Sequence, residues 1–225
     1  MEYRARSRFS IGGVKMANTI RNTLVIDKKY KDLLVKDGEV DFSILKEMPE
    51  ALNVDSSGHN DMYIYTYLSD KLQKSSEEVS QIEVALNTME YYDHINESVD
   101  NYIKSIPEKY KNTKINVDEA YEKGKVLVEN YEKYGATTWD SWRKQHWGCK
   151  WNALTLEVSE TFGKLCLIFD TPNTPPRKWF ELLTEKGIDF EAYSSTGYDS
   201  DWKFVSKDGE LNMEEIEIDY DDYEA

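Results

Sequence analysis

The chain has 225 residues, 40% of them hydrophobic, which is enough for a real core and for one domain carrying an insertion or for two small domains. Its 28 basic and 43 acidic residues give a net charge of -15, which disfavours nonspecific binding to nucleic acid or anionic membrane and points to a basic partner. No apolar run approaches the length of a membrane span, residues 1–15 lack the apolar core of a signal peptide, and a cytoplasmic protein is expected.

The first elements are short. Gly12-Gly13-Val14-Lys15-Met16 reads as an in-frame translation of a purine-rich ribosome-binding site, so Met16 is the expected start and residues 1–15 a non-native extension; the alternative is a short basic arm. Asn18 to Ile26 reads as a strand, with Ile20, Leu24 and Ile26 at period two. A short helix is expected over Lys28 to Val35, with Tyr30, Leu33 and Leu34 on its apolar face and Lys36-Asp37-Gly38 as the stop. Phe42 to Leu52 has little pattern, and Met48-Pro49 reads as a loop.

From about residue 70 to 134 the spacing is helical. Ser75-x-x-Glu78 is a capping box, and Val79, Ile82, Leu86 and Met89 recur along one face until Pro107. A second helix starts at Asn116, carries Ala120, Gly124, Leu127, Tyr131 and Tyr134 on one face, and meets Gly135 where a left-handed cap belongs. The two are expected to form an antiparallel hairpin inserted into a β-containing domain.

Four of the six tryptophans, Trp139, Trp142, Trp147 and Trp151, fall between residues 139 and 151. Such aromatic density builds either a core corner or a recess. Trp147 and Trp151 are expected to pack into the sheet. Trp139 and Trp142, with Arg143 and Lys150, are the candidates for a basic aromatic face that stacks a nucleotide or single-stranded nucleic acid.

After this cluster the period changes to two. Leu154, Leu156 and Val158 alternate on one strand and Leu165, Leu167 and Phe169 on the next, with Gly163 in the turn. Thr174-Pro175-Pro176 is expected to start a helix with Thr174 as cap, with Trp179, Leu182 and Leu183 facing inward and Gly187 ending it. A strand follows over Ile188 to Tyr193, and Asp208-Gly209 joins two late strands around Trp202 to Val205 and Leu211 to Ile218. The order fits an α+β fold: a ferredoxin-like α/β sandwich with a mainly antiparallel sheet and an inserted helical hairpin.

Several segments then carry a resemblance, in order along the chain. They are Met16 to Asn22, the step Met48 to Leu52, Tyr134-Gly135-Ala136 leading to Trp139-x-x-Trp142, the run Trp147 to Ala153, and Phe169-Asp170-Thr171 followed by Pro175-Pro176. Together they resemble the YubB-type ferredoxin-like family of phages, plasmids and other mobile elements, across roughly residues 16–55 and 130–205. The resemblance implies a ferredoxin-like sandwich and supplies no catalytic residue. Cys149 stands where the family has a small hydroxyl residue, and Pro172-Asn173-Thr174 replaces the tryptophan usual before the paired prolines. The expected division is a ferredoxin-like domain over 16–69 and 129–218, a helical insertion over 70–128 and an acidic tail over 219–225.

Chemistry-bearing patterns are sparse. His59, His94 and His146 lie far apart, with no carboxylate or cysteine at metal-ligand spacing, so neither metal nor cofactor is expected. His146 near Cys149 invites a nucleophile reading, against which a structural histidine on an aromatic wall is the simpler account. Cys149 and Cys166 read as buried thiols rather than a disulfide. The stretch Glu210 to Ala225 holds eight acidic residues and no basic one. If extended, it sets Ile216, Ile218, Tyr220 and Tyr223 against carboxylates, a shape suited to a basic groove on another protein; an ordinary edge strand with a frayed tail is the alternative.

The expectation is therefore a non-enzymatic phage or mobile-element protein that binds and inhibits a host defence protein in the bacterial cytoplasm. Asp219, Tyr220, Asp221, Asp222, Tyr223 and Glu224 are its candidate contacts with a basic host surface. A nucleotide or single-stranded nucleic-acid module using Trp139, Trp142, Arg143 and Lys150 is the alternative. Membrane and direct nucleic-acid partners are not expected, and a homo-oligomer stays open.

Overall fold

The computed structural model describes residues 19–74, 105, 108–109, 111–114, 116–196 and 200–217. The fold is α+β, and its compact units comprise residues 49–142 and, separately, the residues up to 48 together with those from 143 onward. The expected start at Met16, the capping box at Ser75 and the apolar face from Val79 to Met89 lie outside the described residues.

In the second of these units, a six-stranded sheet runs in the order β4-β5-β1-β6-β7-β8. Its strands are β1 (Thr19–Asp27), β4 (Leu154–Thr161), β5 (Lys164–Pro172), β6 (Phe190–Ser195), β7 (Ser200–Lys207) and β8 (Glu210–Glu217). Every neighbouring pair is antiparallel. β2 (Val35–Lys36) and β3 (Glu39–Val40) form a separate two-stranded hairpin. Three hairpin turns repeat one geometry: Asp37-Gly38, Phe162-Gly163 and Asp208-Gly209 all have positive φ at both residues, the pairing whose twist suits adjacent strands. Glycine and aspartate take such angles readily. Phe162 does not, and at φ 49° its ring is fully exposed.

Alternation sorts the sheet into two faces. Ile20, Asn22, Leu24 and Ile26 of β1, Leu165, Leu167 and Phe169 of β5, and Phe190 and Ala192 of β6 are buried on the inner face. Helix α4 (Arg177–Glu185) belongs to this core through Trp179, Phe180 and Leu183. Phe42 centres the aromatic cluster, 4.7 Å from Trp179, 5.7 Å from Phe169 and 5.8 Å from Trp147 between ring centroids. Phe180 carries it on to Phe190 and Phe204.

One polar side chain sits in the middle of this apolar layer. Asn22 is fully buried, and its register partners are Phe169 on β5 and Ser194 on β6. Its amide donates to the Ile20 and Phe169 carbonyls and to Thr171 Oγ1, while its carbonyl accepts from Ser194 Oγ at 2.7 Å. The Thr171 hydroxyl in turn donates to the Thr174 carbonyl. Each side chain of this Asn22–Ser194–Thr171 network has a hydrogen-bond partner, which is the condition for tolerating a buried amide.

The unit of residues 49–142 is built on α1 (Asn60–Lys74) and α2 (Val117–Tyr134). The first helix begins at Asn60, well before the expected onset near residue 70, with Asn60, Asp61, Ile64, Tyr67 and Leu68 as its buried face. Helix α2 matches its sequence signals at both ends. Asn116 accepts from the Asp118 and Glu119 amides, and Gly135 adopts φ 70° with its amide bonded to the Tyr131 carbonyl. Gly124 lies so close to α1 that an added Cβ would sit 1.9 Å from the Tyr63 carbonyl oxygen. With Tyr67 beside Tyr121 one turn along, the two helices run antiparallel.

Four expected details differ. Lys28–Leu33 is a 3-10 helix with only Leu34, beyond its end, fully buried, since six residues cannot present a full apolar stripe. Leu154 and Leu156 are exposed because β4 is an edge strand and a register shift between Thr155 and Glu157 breaks its alternation. Helix α4 begins after Pro176 without a side-chain cap, Thr174 Oγ1 donating instead to the Gly148 carbonyl. Leu182 is only half-buried, Phe180 taking the inward position expected of it.

Replacing Asn22 by Leu removes the acceptor for Ser194 and should cost about 2–3 kcal/mol. Adding Ser194→Ala should recover part of that loss, read as a higher urea midpoint for the double variant than for Asn22→Leu alone.

Candidate functional site

The tryptophan segment lies on α3 (Trp139–Trp147) and the loop leading to β4. Trp147 is 2% exposed, and its indole N–H donates to the Lys46 carbonyl at 3.1 Å. With Phe42 against its ring edge it is a core residue, as its spacing suggested. Trp151 is not: it is 43% exposed, and the expectation that it packs into the sheet fails. The cause is Gly148, whose φ of 83° turns the chain away after Trp147. A Cβ there would stand 3.0 Å from the Arg177 and Lys178 amides, so only glycine lets this turn lie on the start of α4.

The candidate stacking residues fare unequally. Trp142 is 3% exposed and Trp139 half-buried. Buried indole faces cannot stack a base without rearrangement. The Arg143 guanidinium lies 5.1 Å from the Trp147 ring centroid, and the Lys150 ammonium 5.8 Å from that of Trp151. The second pair is accessible.

Neither cysteine has the environment of a nucleophile. Cys149 is buried with its Sγ donating to the Trp151 carbonyl, and burial pushes the thiol up to about 12 despite the nearby Arg143 charge. Cys166 on β5 is also raised, by burial and then by the Glu157 carboxylate. His146 is lowered by burial, with Lys46 adding to the effect, so it is neutral at physiological pH. Both thiols are free. Among the described residues no group of three or more His, Cys, Asp and Glu side chains is placed to hold a metal ion, and no helix is long and apolar enough to cross a membrane.

Asp219, Tyr220, Asp221, Asp222, Tyr223 and Glu224 lie outside the described residues. What leads to them is described: β8 forms one end of the sheet, with Glu210, Glu214 and Glu215 exposed along it. Met213 and Ile216 are exposed as well. Within β8 acid and apolar groups share faces, Glu214 with Ile216 and Glu215 with Met213, so the expected separation of the two classes is not realised there. Across the β7 pairing, Lys203 stands opposite Glu214, its ammonium 5.5 Å from the Tyr193 ring centroid. A hydrogen bond to Tyr193 raises the Lys203 ammonium above its ordinary range.

No protein-family model and no curated protein matches the chain. Among solved structures, the crystal structure of a protein api92 from Yersinia pseudotuberculosis, family-model DUF1281, is similar at a TM-score of 0.38 and 13% identity, over 90% of this chain and 98% of that one.

Two outcomes are expected. Trp147→Ala should cost about 3–5 kcal/mol, as large aromatic truncations in packed interiors do, whereas Trp151→Ala should cost about 1 kcal/mol or less in the same urea titration. Under native conditions at mildly alkaline pH, Cys149 should resist a thiol reagent that modifies it readily once the chain is unfolded, a contrast mass spectrometry of the labelled peptides checks.

Proposed function

We propose that the protein is a non-enzymatic binding protein that engages a basic surface on another protein through the acidic end of its sheet. The observation that carries this reading is β8, an outermost strand whose exposed Glu210, Glu214 and Glu215 lead directly into the acidic run ending at Glu224. Carboxylates aligned on a rigid strand raise the encounter rate with a basic partner and reject acidic ones. The raised Cys149 thiol and the lowered His146 imidazole support the non-enzymatic reading, because burial works against the charged forms that a Cys–His pair uses in catalysis.

The strand order β4-β5-β1-β6, antiparallel throughout, with α4 between β5 and β6, supports a ferredoxin-like core that β7 and β8 extend. The YubB-type resemblance supplies the setting of a phage or mobile element, in which the basic partner is a host defence protein with a nucleic-acid groove. The nucleotide-binding alternative keeps one accessible contact, Lys150 beside Trp151.

Neutralising Asp219, Asp221, Asp222 and Glu224 to Asn or Gln tests the reading. The variant should associate about tenfold more slowly with host proteins retained by the parent chain at low salt, and should lose most of the parent's salt dependence. Its melting temperature should barely change. Unaltered binding kinetics would refute the acidic end as the contact surface.

A further inference from the structure

The two ends of the sheet are built differently. At β4 the register shift between Thr155 and Glu157 interrupts the ladder. The same strand and the residues before it take hydrogen bonds from the neighbouring segment, the Val40 amide donating to Thr155 Oγ1 at 2.8 Å and the Phe42 amide to Asn152 Oδ1 at 2.9 Å. Such bulges and side contacts are the usual means of blunting an edge against further pairing.

At β8 none of them is present among the described residues. Its eight residues pair with β7 from Glu210↔Lys207 to Glu217↔Ser200 without a register shift, and no described strand pairs with its other side. The segment contains no proline and no lysine, the residues that most often protect an edge. Alternate backbone N–H and C=O groups along it therefore face outward as a ready ladder. Its charge is of one sign, with exposed Glu210 and Glu214 on one face and Glu215 on the other.

Resting on the reading of the acidic end as the contact surface, we infer that β8 is a site of strand addition: an extended segment of the partner, with Lys or Arg on both of its faces, pairs with it as a seventh strand. Main-chain hydrogen bonds supply the attachment, and the three carboxylates select a basic strand over a neutral or acidic one. Met213 and Ile216, exposed on opposite faces, add apolar contact to the side chains between the basic ones.

The test uses the full chain and a synthetic peptide with the sequence Lys-Lys-Val-Val written twice, which carries Lys on both faces of an extended strand and matches the eight residues of β8 in length. A second peptide of the same sequence is N-methylated at every amide, which keeps its charge but removes the donors of both edges. Strand addition predicts that the unmodified peptide slows amide exchange in β8 at least tenfold at low salt, that the methylated peptide gives no such protection, and that a Glu210→Gln, Glu214→Gln, Glu215→Gln variant binds the unmodified peptide at least tenfold more weakly. Equal binding of both peptides without protection of β8 would overturn strand addition while leaving the acidic contact surface in place. Absence of binding by either peptide would overturn strand addition too, and the acidic surface would then stand or fall on the kinetics of the tail-neutralised variant.

Discussion

Strand β1 must satisfy two neighbours at once, β5 on one side and β6 on the other, and the sheet exists only because both ladders close around it. The constraint is sharpest at Asn22. A buried amide needs fixed acceptors and a fixed donor, and here they come from β1 itself, β5 and β6 together. Slipping either neighbour by one residue would turn its inner side chains outward and strand the amide in an apolar layer. The aromatic cluster around Phe42 and Trp179 depends on the same register, because Phe169 of β5 and Phe190 of β6 belong to it.

Much of this was legible along the chain because it depends on local rules. The strands from Leu165 to Phe169 and from Ile20 to Ile26 announce themselves by alternation, α2 by Asn116 and Gly135 at its ends, and the turns by Gly163 and Asp208-Gly209. What was illegible depends on position in the sheet. Leu154 and Leu156 carry the pattern of a buried strand, yet an edge strand with a bulge leaves them in solvent. Trp151 looks equivalent to Trp147 in sequence, and the difference lies in one left-handed glycine between them. Asn22 gave no signal of its role, since a polar residue in an alternating strand normally marks the solvent face.

The candidate chemistry followed the same division. Trp142 and Trp147 were visible as aromatic surface, but whether such surface is a platform or a core is decided by what covers it, which no spacing encodes. A cysteine near a histidine is an arrangement that catalysis uses, and here burial at both groups, with Lys46 adding to it at His146, works against the thiolate and the imidazolium. The acidic end of the chain is the opposite case. Its charge is plain from composition, and the structure adds the regular strand that displays it.

The placement of β1 between β5 and β6 has a kinetic consequence. Its partners are encoded more than a hundred positions downstream, since Asp27 pairs with Lys164 and Arg21 with Ser195. On a ribosome adding roughly 5–20 residues per second, β1 emerges on the order of ten seconds before either ladder can form. Meanwhile the intervening α1 and α2, whose own buried cluster of Ile64, Tyr67, Leu68 and Leu127 needs nothing from the later strands, are already synthesised. The helical unit is thus free to organise during translation while β1, a β-prone and apolar segment, waits for its partners.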